Sequence, residues 1–392
     1  MRRSIALSWD HGRGYRVRMH SSRRVAVLLV GAACVAIAAC GGSPSTPPAA
    51  SAPGAAPAPA PPPKPAPGSP LVYVSDETGT SVVVVDPIGK TVVQKISVGK
   101  RPRGLKISPD GTKLLVALSG SPIGGPGVDE SKLPPADRAA DGIGVIDLAT
   151  HSVIKKYDSG SDPESFAISL DGKMIFVSNE DTGEMTALDL ESGEIKAKVK
   201  VGEEPEGVTT GPDGRVVFVS CEGSNEVVAI DTTTFKVVGH IPTGPRPRSI
   251  AFSKDGAIGF VASENSGTLT VFDTKTRKVR KTITLPRPTE PGAIPPRPMG
   301  LQISPDGASL YVSLGRAKSV AVIDVATQAY KSTMTDVGAR PWGIGISADG
   351  TKLYTANGPS GDIAIVDVAS GKTEAKVATG GSPWGIAVGQ AR

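Results

Sequence analysis

The 392-residue chain is expected to be all-β, a seven-bladed β-propeller of four-stranded antiparallel blades, and three features predict it. Aspartates that end β-rich runs stand at Asp86, Asp147, Asp189, Asp231, Asp273, Asp324 and Asp367, spaced by 61, 42, 42, 42, 51 and 43 residues. Asp-Gly pairs starting at Asp110, Asp171, Asp213, Asp255, Asp306 and Asp349 keep the same unit around the same two insertions. Each unit also holds four short runs rich in Val, Ile and Phe; within residues 204–244 they are PEGVTTG, RVVFVSC, EVVAID and KVVGHIPTG. Such runs, parted by Asp-Gly or Asp-Thr-Thr-Thr clusters, are hairpin-linked strands, and four-stranded units of about 40 to 45 residues are propeller blades. The 47 Gly and 35 Pro fit a turn-rich chain and not a helical one.

Residues 1–39 are expected to be a signal peptide. Arg23 and Arg24 precede an apolar run from Val25 to Ala39, which is too short to span a bilayer comfortably. An uncleaved anchor helix is the alternative. Residues 37–40, Ile-Ala-Ala-Cys, resemble a bacterial lipobox, which implies cleavage before Cys40 and a lipid on its sulfur. By that resemblance the chain is tethered outside the cytoplasm, on the periplasmic face, and Gly41 favours the outer membrane of a Gram-negative cell. Residues 40–70 are then the lipidated cysteine and a stiff spacer of Pro, Ala, Ser and Gly with nothing to build a core from.

Removing the leader changes the electrostatics. It holds seven Arg and one Asp of the 43 basic and 38 acidic residues, so 36 and 37 remain. The basic footprint of a duplex nucleic-acid binder is absent from that remainder. Of three cysteines, Cys34 lies in the leader and Cys40 takes the lipid, which leaves Cys221 without a disulfide partner.

The propeller is assigned to residues 71–392. Its innermost strands begin near Pro102, Pro163, Pro205, Pro247, Pro298, Pro341 and Pro383. The chain enters at Leu71 with the second strand of a blade and stops after SPWGIAVG, a first strand without the rest. Closure is therefore expected where the C-terminal strand completes the N-terminal three, in a monomer whose opened ring would expose an unpaired edge. Both insertions, residues 119–142 and 286–298, fall on one face of the ring, where long loops on a rigid scaffold gather binding.

The FVSN at 176–179 and YTAN at 354–357, with VIDL and the repeated SPDG, resemble the YVTN or YncE-like family of seven-bladed propellers. The architecture is also similar to the large-chain propellers of quinoprotein amine dehydrogenases. The resemblance spans the folded part, implies the fold, and leaves activity open.

The residues flanking each leading proline are the candidate ligand-binding set: Arg101 and Arg103, Asp162 and Glu164, Glu204 and Glu206, Arg246 and Arg248, Arg297, Arg340 and Trp342, and Trp384. Two acidic blades stand among basic ones, with the two tryptophans opposite. Two outcomes are expected of such a ring: a belt of ion pairs between blades, or a polar, aromatic-edged cup in which Arg offers forked donors and Trp a flat face to an anionic ligand. One residue beyond the second strands, Glu77, Glu180, Glu222 and Glu264 are weak candidates for a Ca²⁺ site.

The inventory of reactive groups is short. Beyond the leader only His151 and His240 remain, placed by register in a turn on the opposite face and in an outermost strand. No Cys-x-x-Cys-His stands in the chain, no catalytic set is assigned and no cofactor is expected. The expected function is recognition of a small ligand or periplasmic partner protein through the channel mouth. The alternatives are an accessory of periplasmic quinoprotein or cytochrome metabolism, a lactonase-like hydrolase, or a binder of single-stranded DNA with bases stacked on Trp342 and Trp384.

Overall fold

The computed structural model describes residues 65–124 and 129–392. The leader, the lipobox at 37–40 with Cys40, and nearly all of the spacer lie outside the described residues.

Seven four-stranded antiparallel sheets form the fold, each consecutive in sequence except one. We number that exception blade I: Pro383–Gln390 pairs with Pro70–Asp76, which continues into Ser81–Asp86 and Thr91–Ser97. Blades II to VII then begin at Pro102, Pro163, Pro205, Pro247, Leu301 and Pro341. Closure is the expected one, with register from Pro70 opposite Gln390 to Asp76 opposite Pro383. Two further backbone bonds, Gly68 N–H to the Ala391 carbonyl and Ala391 N–H to the Ser69 carbonyl, both 2.8 Å, extend the seam. One innermost strand departs from expectation. In blade VI it runs only over Leu301–Ile303 and not from Pro298, although Met299 N–H still donates to the Ser313 carbonyl at 2.9 Å and Ser313 N–H to that of Gly300 at 3.0 Å.

The burial pattern explains the composition of each strand. Second and third strands lie between neighbouring blades and are covered on both faces, so they read as continuous apolar runs such as VVVV in Ser81–Asp86 and LLVAL in Lys113–Leu118. Outermost strands carry exposed residues and lysines, as in SVIKKY and IKAKVK, which protects a free sheet edge from pairing.

The recurring SPDG is a closed hydrogen-bonding unit. Ser108 Oγ donates to Asp110, whose carboxylate accepts from Thr112 N–H at 3.0 Å, and Gly111 holds φ +65°. Gly supplies that positive φ without steric cost.

At two of the glycines that follow the leading prolines, neighbouring innermost strands approach too closely for a side chain. A Cβ on Gly343 would lie 2.5 Å from the Trp384 carbonyl oxygen, and one on Gly385 2.5 Å from that of Arg103. The seryl hydroxyls of the FVS and YVS triplets fasten the same contact. Ser75, Ser178 and Ser313 donate to the carbonyls of Arg103, Glu206 and Trp342 in the next blade at 2.6, 2.7 and 2.9 Å, and Ser220 makes the equivalent bond to Arg248. Constant letters of the repeat thus build the blade and weld it to its neighbour, leaving the residue on either side of each proline free to vary.

Candidate functional site

At one end of the channel the loops entering the innermost strands and those joining second to third strands surround a cavity of about 650 Å³. All twelve residues of the candidate set line it, together with Glu77, Glu180, Glu222 and Glu264. The backbone helps to aim them. Arg101, Asp162, Glu204, Arg246 and Arg340, each just before a leading proline, hold φ between +41° and +61°. Non-glycine residues pay of order 1 kcal/mol or more for that conformation, and it persists only where the surroundings enforce it.

Two ion-pair clusters occupy most of the wall. In the first, the wholly buried Arg103 contacts Asp162 and Glu164 of the next blade, while Arg101 reaches Glu77 at 3.2 Å and Asp162 at 3.8 Å. Burial alone would raise the Asp162 pKa, but the Arg103 charge and the Ser119 hydroxyl together hold it below the usual range. Burial and the neighbouring Glu206 charge push Glu180 up to about 7, against the pull of Arg103 at 3.8 Å.

The second cluster centres on Arg248, which contacts Glu206 at 2.6 Å, Glu264 at 2.8 Å and also Glu222. Arg246 joins it through Glu222 at 2.5 Å, and Arg297 through Glu264 at 3.8 Å. Burial and the Glu206 carboxylate drive Glu222 up to about 10, so this pair shares a proton at neutral pH. Of the two expected outcomes for the charges, the belt between blades is therefore present.

Guanidinium is also the cation that faces the four glutamates proposed for calcium. Glu77, Glu180, Glu222 and Glu264 lie 3.2, 3.8, 2.5 and 2.8 Å from Arg101, Arg103, Arg246 and Arg248. Among the described residues no group of three or more His, Cys, Asp or Glu side chains is arranged to hold a metal ion.

The remaining wall differs in kind. Trp342 and Trp384 stack with ring centroids 5.5 Å apart and planes 23° apart, and the guanidinium carbons of Arg340 and Arg248 lie 4.8 and 4.9 Å from the Trp342 ring. Arg248 already serves three carboxylates. Arg340 has none within 4 Å among the described residues, and burial lowers its proton affinity without nearly discharging it.

Neither histidine reaches the cavity. His151 sits in the turn between the third and fourth strands of blade II, against Tyr73 and Gln94, and His240 lies on an outermost strand beside Glu226. Cys221 is buried and its thiol is pushed up to about 12, which makes it an inert core residue.

Several wall residues escaped the repeat-based reading because they belong to insertions with no counterpart in other blades. From residues 119–142, Ile123, Leu133, Pro134 and Arg138 line the cavity, and Arg138 crosses to Asp181 of blade III. Arg316, in a short 3₁₀ turn of blade VI, lines it as well. The signal available for the first four was the length of their loop and the face it occupies; Arg316 sits in a loop of ordinary length at the repeat position of Asp181, and its signal was that register.

Residues 128–213 match the model of YncE-like β-propellers, and residues 205–383 match that of the lactonase seven-bladed β-propellers. No curated protein sequence matches the chain. Among solved structures, the periplasmic gluconolactonase of Pseudomonas aeruginosa is 20% identical, with a TM-score of 0.64 over 82% of this chain and 99% of that one. A functionally unknown protein from Desulfotomaculum acetoxidans gives 0.67 at 15% identity, and a protein from Lactobacillus plantarum 0.66 at 16%, each over 82% of this chain and 99% of its own. At such identities the likeness is one of fold.

Proposed function

We propose, from a chain that is a seven-bladed β-propeller with YncE-like and lactonase-type repeats, that it binds a small anionic, ring-shaped or polyhydroxylated molecule at the channel mouth. One observation carries the proposal: Arg340, without a carboxylate partner among the described residues, stands over a stacked tryptophan pair in a cavity large enough for a small metabolite. Arg340 supplies a forked donor for a carboxylate or phosphate, and the indole faces accept the apolar side of a sugar ring. The lipobox at 37–40 supports placing this activity outside the cytoplasm on a Cys40 tether. Cys40→Ala is expected to abolish lipid labelling and release the protein from membranes; retained labelling would refute the tether.

Binding has a built-in reporter. The chain has three tryptophans, and apart from Trp9 in the leader they are Trp342 and Trp384, so intrinsic fluorescence of the propeller reads the cavity itself. Titration with aldonic acids and their lactones should change that fluorescence saturably. Arg340→Ala should weaken binding at least tenfold with little change in melting temperature, because it breaks no ion pair. Unchanged affinity in Arg340→Ala and in Trp342→Ala would remove the mouth as the site.

A second reading, hydrolysis of a bound lactone, is favoured by the Glu180 carboxyl. A group at about 7 is poised to take a proton from water as that water attacks the lactone carbonyl. The ring C–O bond then breaks and its oxygen takes up the proton, giving the hydroxy acid. Base catalysis requires the ionised form, so activity should rise with pH through about 7, and Glu180→Gln should lower the rate by roughly 10²-fold. A rate with δ-gluconolactone no faster than spontaneous opening across pH 6 to 8 would leave binding alone.

A further inference from the structure

The channel holds a second, smaller chamber of about 220 Å³, and Glu206, Arg248, Trp342 and Trp384 form part of the wall of both this chamber and the mouth. Its charged side chains are Glu206 and Arg248, already bound to each other at 2.6 Å, and Lys106. The Lys106 ammonium makes no ion pair or hydrogen bond among the described residues. At the same place in the other blades stand Ala167, Thr209, Ala251, Gln302, Gly345 and Ala387, so a lysine there is not something the repeat requires.

The environment of this ammonium is unusual for a surface lysine. Its side chain is exposed to the solvent of the channel, and desolvation by the protein around it lowers its pKa from the ordinary value. The rest of the wall is glycine backbone, the apolar Leu105, Met299, Leu301, Ile344 and Ile386, and the polar Gln302, Ser165 and Ser249, the two serines replacing the repeat's glycine in blades III and V. A channel-lining cation open to solvent, with hydroxyl donors nearby and no carboxylate of its own, is the arrangement that an anionic group completes.

We propose that Lys106 is a second anion-recognition point, and that the preferred ligand is an elongated dianion. One acidic group would lie at Arg340 and the other would pass the tryptophan pair to Lys106. Lys106 lies five residues beyond the strand position equivalent to Arg340, so the two backbone positions are separated by about 17 Å along the channel, a span that two long basic side chains and a short dicarboxylic chain between them can bridge. This inference rests on the mouth being the binding site, and it narrows the ligand class from anions to diacids.

The test compares gluconate and glucarate, a six-carbon monoacid and the diacid of the same chain length, by calorimetric titration of the propeller and its variants. The parent protein should bind glucarate at least tenfold more tightly than gluconate. Lys106→Met should abolish that preference while leaving gluconate affinity within about twofold, and Lys106→Gln should behave alike if the first variant melts early. Arg340→Ala should weaken both acids. If Arg340→Ala weakens both acids while Lys106→Met leaves the preference intact, or no preference exists in the parent, the second point is refuted and the mouth stands. If neither acid binds the parent protein, both proposals fall.

Discussion

Deletion of residues 383–392 should leave no cooperatively folded propeller. The lost segment is the innermost strand of blade I, paired with Pro70–Asp76 from end to end and packed against the innermost strands of blades II and VII. Its removal discards a ladder worth about 1 kcal/mol per hydrogen bond, uncovers Val72 and Val74, and strips Ile386 and Val388 from the core they join. The total is of order 5 to 10 kcal/mol, comparable with the whole stability of an ordinary domain. It also leaves Pro70–Asp76 as an exposed apolar edge, so the truncated chain should aggregate. Circular dichroism melting and size-exclusion chromatography decide the matter; a soluble truncated monomer with the parent's transition would refute closure as the source of stability.

Arg248→Met should be the most destabilising single substitution in the mouth, at about 3 to 5 kcal/mol. Arg248 is buried among Glu206, Glu222 and Glu264, and its loss leaves three enclosed carboxyls to Arg246 and Arg297 at the rim. The pH dependence identifies the cause. Burial raises Glu206, and in the parent the Arg248 charge, followed by Glu222 and Arg103, more than reverses this. Without Arg248 the folded-state pKa of Glu206 rises above that of the unfolded chain, and Glu222, already at about 10 in the parent, rises further. A raised acid favours the folded state least when ionised, so the deficit should grow as pH climbs from about 4.3 towards 8 and shrink on acidification. Denaturant melts of both proteins at pH 4.5 and 7.5 measure it. A deficit equal at the two values would point to lost packing and not to uncompensated charge.

Much of the site was legible because propeller geometry converts sequence position into spatial position. Once the repeat was in register, the residues on either side of each leading proline had to meet around one channel, and Arg101 through Trp384 do line one cavity. What the register did not carry was the choice among partners. Arg103 and Arg340 occupy neighbouring positions of the same repeat, yet the first is enclosed by carboxylates and the second rests on an indole. Nor did it single out Lys106, since a channel-lining charge and an outward-facing one look alike in a strand whose partners are unknown.

The amino-acid sequence by itself determined the blade, the count of seven, the seam between the chain ends and the face on which diversity collects. Each of these follows from local periodicity and turn chemistry, which act within a few residues. Which arginine is neutralised, which glutamate keeps a proton near neutral pH and which lysine is left alone in the channel were decided only when residues from different blades were enclosed together. Those outcomes depend on distance and desolvation between groups tens of residues apart, quantities that exist only in the folded ring.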